Sequence, residues 1–125
     1  MVVGEAFPCQ GDIWLINFSP VVGREQGGRR PALVLSRDAH NRASAVITVA
    51  PLTSSLTMQN HPAAVFLPAA PGGAKKDSLI LVFQIRTVDK ARCERRLYRP
   101  SESTLDAVWT ALDGHFKRPL LSEGG

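Results

Sequence analysis

Along most of the chain, apolar and polar residues alternate in short runs, and only near the end do apolar residues take up a helical spacing. Residues 12–18 place Trp14, Ile16 and Phe18 on one face of a strand and Ile13 and Leu15 on the other. Apolar side chains on both faces suit a strand enclosed in a small barrel or a curled sheet. Further strands are expected at residues 32–36, 45–50 and 63–67, with a strongly strand-forming run at 78–85 that 86–89 continues or closes. A short strand is expected at 95–98. Between them, residues 37–44 suit a turn or one turn of helix, and the Pro- and Gly-rich residues 68–76 a turn. Pro51 is expected to break the third strand, leaving Thr53, Ser54 and Ser55 as a cluster of hydroxyls at its end. Residues 103–116 carry Leu105, Val108, Trp109, Leu112 and Phe116 on one helical stripe, with Ser101 or Ser103 as cap and Pro119 beyond the end. The stripe is expected to pack as core. The pattern predicts one β-rich α+β domain over residues 1–125, its last helix packed on the sheet. Residues 1–10 are expected to form a loose lead-in and 117–125 a flexible tail.

Composition narrows this outline only a little. With 125 residues, 44% hydrophobic and 21% charged, the chain has material for a single core. Its net charge of +4 suits a polyanionic partner without requiring one. Eleven of the fifteen basic residues are arginines, whose planar fork grips phosphate in two places where lysine offers a point charge. Cys9 and Cys93 lack the spacing of a zinc site and are expected to be reduced thiols. No stretch resembles a signal peptide or approaches the ~20 apolar residues of a membrane span, so a soluble, cytoplasmic protein is expected.

Candidate chemistry concentrates in residues 23–31, between the first two strands. Gly23, Gly27 and Gly28 make the backbone pliable, and Arg24, Glu25, Gln26, Arg29 and Arg30 crowd it with polar groups before Pro31. A hairpin needs only two turn residues, so this loop is longer and more charged than turning requires. The ordinary alternative is a solvated basic loop. Elsewhere His40, His61 and His115 stand alone, no acidic pair has nuclease-like spacing, and neither a Gly-Lys-Ser/Thr phosphate cradle nor a serine elbow is present, so neither metal nor cofactor is expected.

What remains is arginine near hydroxyls. RNA brings its own nucleophile, the 2′-OH, so a ribonuclease must align it, move protons and stabilise charge on the phosphoryl oxygens. Arginine suits the last task but is a poor proton donor near neutrality. Glu25 either orients an arginine or acts as a base, against the plainer option of a surface ion pair. Thr53 either bonds a phosphoryl oxygen or caps its own backbone. Gln84 and Arg86, one residue apart, are expected on one strand face, lining a groove or merely exposing polar groups.

In order along the chain, several blocks resemble the MazF/PemK family of toxin endoribonucleases. They are Gly11-Asp12-Ile13-Trp14, the Glu25-Gln26-Gly27-Gly28-Arg29-Arg30-Pro31 segment, Pro51-Leu52-Thr53-Ser54, and Asp77-Ser78 through Gln84-Ile85-Arg86-Thr87-Val88-Asp89, with Asn41-Arg42 between. The resemblance implies a homodimer of SH3-like barrels that cuts single-stranded RNA at a short sequence without a metal, leaving 2′,3′-cyclic phosphate and 5′-hydroxyl ends. It also implies a cognate antitoxin whose acidic, partly disordered tail blocks the groove. Position by position, Arg30 matches the catalytic arginine, Thr53 the catalytic threonine and Glu25 the neighbouring loop glutamate. Gln84 and Arg86 match the groove-lining segment. Gln26 and Ser54 are expected to be further RNA contacts, and Arg24 and Arg29 charges that track phosphate or contact the antitoxin. Arg24 stands where a small residue is usual, and Phe83 where an acidic residue often precedes the glutamine. Both departures bear on base preference. Two other classes fit such a chain: a non-catalytic module binding RNA or protein on the same barrel, and a topoisomerase-poisoning toxin. The pairing of Arg30 with Thr53 favours the nuclease.

Overall fold

Among the described residues the alternating runs form seven strands: β1 (Ile13–Asn17), β2 (Arg29–Val34), β3 (Val46–Thr53), β4 (Ala64–Leu67), β5 (Ser78–Leu81), β6 (Arg86–Asp89) and β7 (Cys93–Tyr98). A six-residue helix, α1 (Asp38–Ala43), links β2 to β3, and α2 (Glu102–His115) closes the chain. The structure is a computed structural model that describes residues 7–19 and 28–120. All strand pairings are antiparallel, in the order β4-β5-β3-β2-β1-β7, with β6 also paired to β3. The sheet curls but does not close, since β4 and β7 remain its ends. Two register shifts between β1 and β7 add twist where the curl tightens.

Curling buries both faces of the central strands, as the alternation in β1 requires. Trp14, Ile16 and Phe18 join Ala32, Val34, Ile47, Val49 and Val88 in one buried cluster. Ile13, Leu33, Ala50 and Leu52 face the other way and meet Val65, Ile80, Leu105 and Val108. At about 1.5–3 kcal/mol for each fully buried aliphatic side chain, these two layers dominate the stability.

Several boundaries differ from expectation. Pro51 does not break β3, which runs on to Thr53. The edge of β3 away from β2 pairs with β6 through Val49 and with β5 only from Leu52. Ala50 and Pro51 therefore fall in a gap on that edge, where a residue without an N–H is tolerated. The expected strand at 78–85 is also divided. The sums of paired residue numbers, 132 for Leu52↔Ile80 and 135 for Val46↔Asp89, reveal three extra residues, which the 3-10 turn Val82–Gln84 absorbs.

The helix begins at its expected cap, with Ser101 accepting from the Thr104 N–H. Its apolar stripe is split, however. Leu105 and Val108 are buried and Leu112 is partly so, whereas Trp109 is 39% and Phe116 61% exposed. The lead-in is anchored where it is described. The Pro8 carbonyl accepts from Asn41, and the Gln10 N–H donates to Asp38.

Candidate active site

Strand register brings the sequence's candidates together. Ala32 lies opposite Pro51, and the strands are antiparallel, so extending the ladder sets Pro31 against Leu52, Arg30 against Thr53 and Arg29 against Ser54. A cleft of about 260 Å³ lies there, lined by Arg29, Arg30, Pro31, Leu52, Thr53, Ser54 and Ser78. The Arg30 guanidinium donates to the Leu52 carbonyl at 3.3 Å, which fixes the head group at the cleft. Thr53 Oγ1 accepts the Ser55 N–H at 3.1 Å. The backbone-capping alternative for Thr53 is thus realised, and it leaves the hydroxyl proton available for an acceptor in the cleft.

Arg29 Nε lies 2.8 Å from Glu94 Oε2 on β7. With the arginine side chain 64% exposed, this pair contributes at most ~1 kcal/mol, so an incoming phosphate can replace the carboxylate at little cost. Glu94, 65 residues away, gave no signal in the sequence. Ser78 did lie in a motif block, but nothing in its local pattern marked it as a cleft residue.

Gln84 and Arg86 are not among the residues that line this cleft. They do not continue one strand face, because Gln84 belongs to the 3-10 turn and Arg86 opens β6 opposite Val49. The Arg86 guanidinium lies over the Phe18 ring at 5.0 Å, near the point where β1 runs into the loop. Gln84 Oε1 is buried without a hydrogen-bond partner among the described residues. Phe83 stacks on His61 with ring centroids 4.1 Å apart. Arg24, Glu25 and Gln26 lie outside the described residues.

The loop's base is nevertheless defined. The Phe18 N–H donates to the Gly28 carbonyl, and Arg92 donates to the Asn17 and Ser19 carbonyls. Gly28 has φ +72°, a conformation that favours glycine. Asp12, largely buried, accepts from Arg96 at 3.0 Å and Arg99 at 3.2 Å, clamping the start of β1 to β7.

Neither Cys9 nor Cys93 forms a disulfide among the described residues. Burial pushes Cys93 up to about 11, against the weaker opposing charge of Lys90, so it is protonated at neutral pH and a poor nucleophile. Among the described residues no cluster of His, Cys, Asp or Glu could hold a metal ion, and no helix is long and apolar enough to cross a membrane.

Residues 9–116 match the family described as PemK-like, MazF-like toxin of type II toxin–antitoxin system. Endoribonuclease EndoA of Bacillus subtilis (strain 168) is 40% identical over 103 residues, spanning 82% of this chain and 89% of that protein. The crystal structure of MazF from Deinococcus radiodurans superposes with a TM-score of 0.79 at 32% identity, covering 91% of this chain and all of that one. A MazE–MazF structure from the same organism gives 0.74 at 32% identity, over 92% of this chain and 100% of that chain. The fold, the ordered motif blocks and the family match agree: the chain belongs to the PemK-like, MazF-like toxins of type II toxin–antitoxin systems.

Proposed function

We propose that the protein is a toxin endoribonuclease that cuts single-stranded RNA at a short sequence, with the Arg30–Thr53 cleft as its catalytic centre. The observation that carries this reading is the convergence of Arg30 and Thr53 from neighbouring strands on one small polar cleft. The substrate's 2′-oxygen attacks the adjacent phosphorus. The O2′–P bond forms, the P–O5′ bond breaks, the 2′ proton is taken up and the departing 5′ oxygen receives one. A 2′,3′-cyclic phosphate and a 5′-hydroxyl result. Arg30 stabilises the charge that builds on the phosphoryl oxygens, and Thr53 donates its hydroxyl to one of them. Glu25 orients Arg30 or takes the 2′ proton. Arg24, Gln26, Arg29, Ser54, Gln84 and Arg86 contact the RNA chain. The test is incubation of the purified protein with a long RNA in EDTA. Discrete fragments with 5′-hydroxyl ends are expected, and intact RNA would sink the reading.

The same reading includes two protein partners. MazE–MazF structures exist for the Deinococcus relative, which supports a cognate antitoxin here, one whose acidic tail covers the arginine-rich cleft. A second copy of the chain is supported by exposed apolar side chains: Phe66 at 49% on the edge strand β4, and Trp109 and Phe116 seven residues apart on α2. Trp109→Asp is expected to convert a sedimenting dimer into a monomer. An unchanged sedimentation coefficient would remove this face from the interface.

A further inference from the structure

Beside the cleft lies a larger pocket, of about 490 Å³, that shares Pro31, Leu52 and Ser78 with it. Its floor follows from register. Leu15 lies opposite both Pro31 and Arg95, and extension of the β2–β3 ladder places Leu52 next to Pro31. Residues directly opposite one another project from the same face, so Leu52, Pro31, Leu15 and Arg95 form one row across four strands. Tyr98 and the backbone of Gly72 and Gly73 form the walls, with Lys75 at the rim. Gly73 matters because it keeps the wall thin. A Cβ there would lie 3.9 Å from Tyr98 Cδ1, and a larger side chain would occupy the space beside the ring.

Resting on the proposed nuclease activity, we infer that this pocket holds the base of the nucleotide next to the scissile phosphate, stacked on Tyr98 above the Leu15–Pro31–Leu52 floor. Three features carry the assignment. An apolar floor with an aromatic wall suits a nucleobase, which has two apolar faces and a polar edge. Among the described residues Arg95 and Lys75 make no hydrogen bond or ion pair, and both are exposed, which suits them to the flanking phosphates. The shared residues make pocket and cleft one continuous surface, so a strand whose phosphate sits at Arg30 has an adjacent place for its next base.

The experiment starts from cleavage ends mapped with the native protein, which give the recognition sequence. Oligonucleotides of that sequence carry a 2′-deoxy sugar at the cut position, so that they bind without being cleaved. Each neighbouring position is made abasic in turn, and affinity is read by fluorescence anisotropy. In the native protein, removing one neighbouring base is expected to weaken binding about tenfold, within the range of a single base–aromatic stack. In Tyr98→Leu, which keeps an apolar side chain against the core, that loss should disappear. Arg95→Gln and Lys75→Gln, both at exposed or half-exposed positions, should weaken every oligonucleotide alike and flatten the salt dependence.

If the abasic loss is equally large in Tyr98→Leu, the assignment is overturned while the nuclease reading stands. Should Tyr98→Leu lose only antitoxin affinity, the pocket is a protein site and the assignment is again overturned. Failure of the native protein to cut RNA would remove both readings together. A melting curve of Tyr98→Leu, together with its retained affinity for the abasic oligonucleotides, separates a lost stack from a folding defect.

Discussion

Replacing Arg30 by alanine is expected to lower the rate of RNA cleavage about a thousandfold while the thermal midpoint hardly moves. The loss follows from position. Arg30 is held by the Leu52 carbonyl in a cleft that Thr53 also lines, so on the proposed mechanism its charge is already in place when the phosphoryl oxygens become more negative. Removing one such preorganised donor typically costs a factor of 10²–10³, and a full positive charge places Arg30 at the upper end. Stability is spared because the residue is only half-buried at the cleft and is no part of either apolar layer. Arg30→Lys separates charge from geometry. Lysine keeps the charge but loses the planar fork, so an intermediate rate is expected. Cleavage at the native rate by Arg30→Ala would remove this residue from the mechanism. The measurement is single-turnover cleavage of a labelled RNA, with a melting curve on the same preparation.

The second large effect concerns stability. Asn41 is fully buried, and its side chain joins three parts of the chain. Its amide nitrogen donates to the Pro8 carbonyl at 2.9 Å and the Ser36 carbonyl at 2.8 Å, while its oxygen accepts from the Ser36 hydroxyl. That hydroxyl oxygen in turn accepts the Thr48 N–H at 3.0 Å. Asn41→Ala leaves buried carbonyls unpaired and untethers the segment before β1, at a cost of about 3 kcal/mol. For a domain of this size that lowers the melting temperature by roughly 10 °C. Urea unfolding followed by tryptophan fluorescence measures it, and a change below ~1 kcal/mol would show that the network is not cooperative. The same variant, assayed well below its melting temperature, should still cleave RNA, because Asn41 lies in α1 and outside the cleft.

These two residues differ in how visible they are in a sequence. Arg30 stands out because three arginines, three glycines and a proline crowd a link that needs none of them. Asn41 is an ordinary polar residue in a short helical turn, and only its match to a family motif drew attention to it. Its importance depends on Pro8, Ser36 and Thr48, which no local pattern joins to it. Trp109 shows the opposite error. Helical spacing assigned it to the core, but a stripe gives the angle of a side chain around its helix and not the width of the surface that covers it. The break between β5 and β6 was hidden for a related reason. Strand propensity runs evenly through Leu81, Val82 and Phe83, and the 3-10 turn exists because β3 offers too few positions to pair with every residue.

By itself the sequence determined the β-rich α+β class, the burial of β1 on both faces, the cap of α2 and the residue types able to handle phosphate. Those are consequences of period, propensity and side-chain chemistry, all of them local. Tertiary structure alone decided which residues meet. Antiparallel pairing of β2 with β3 brought Arg30 and Thr53 to one cleft, Arg29 met Glu94, and Leu15, Pro31, Leu52 and Arg95 came to line one pocket next to it. Register depends on how whole strands share a common core, and that information is spread over residues far apart in the chain.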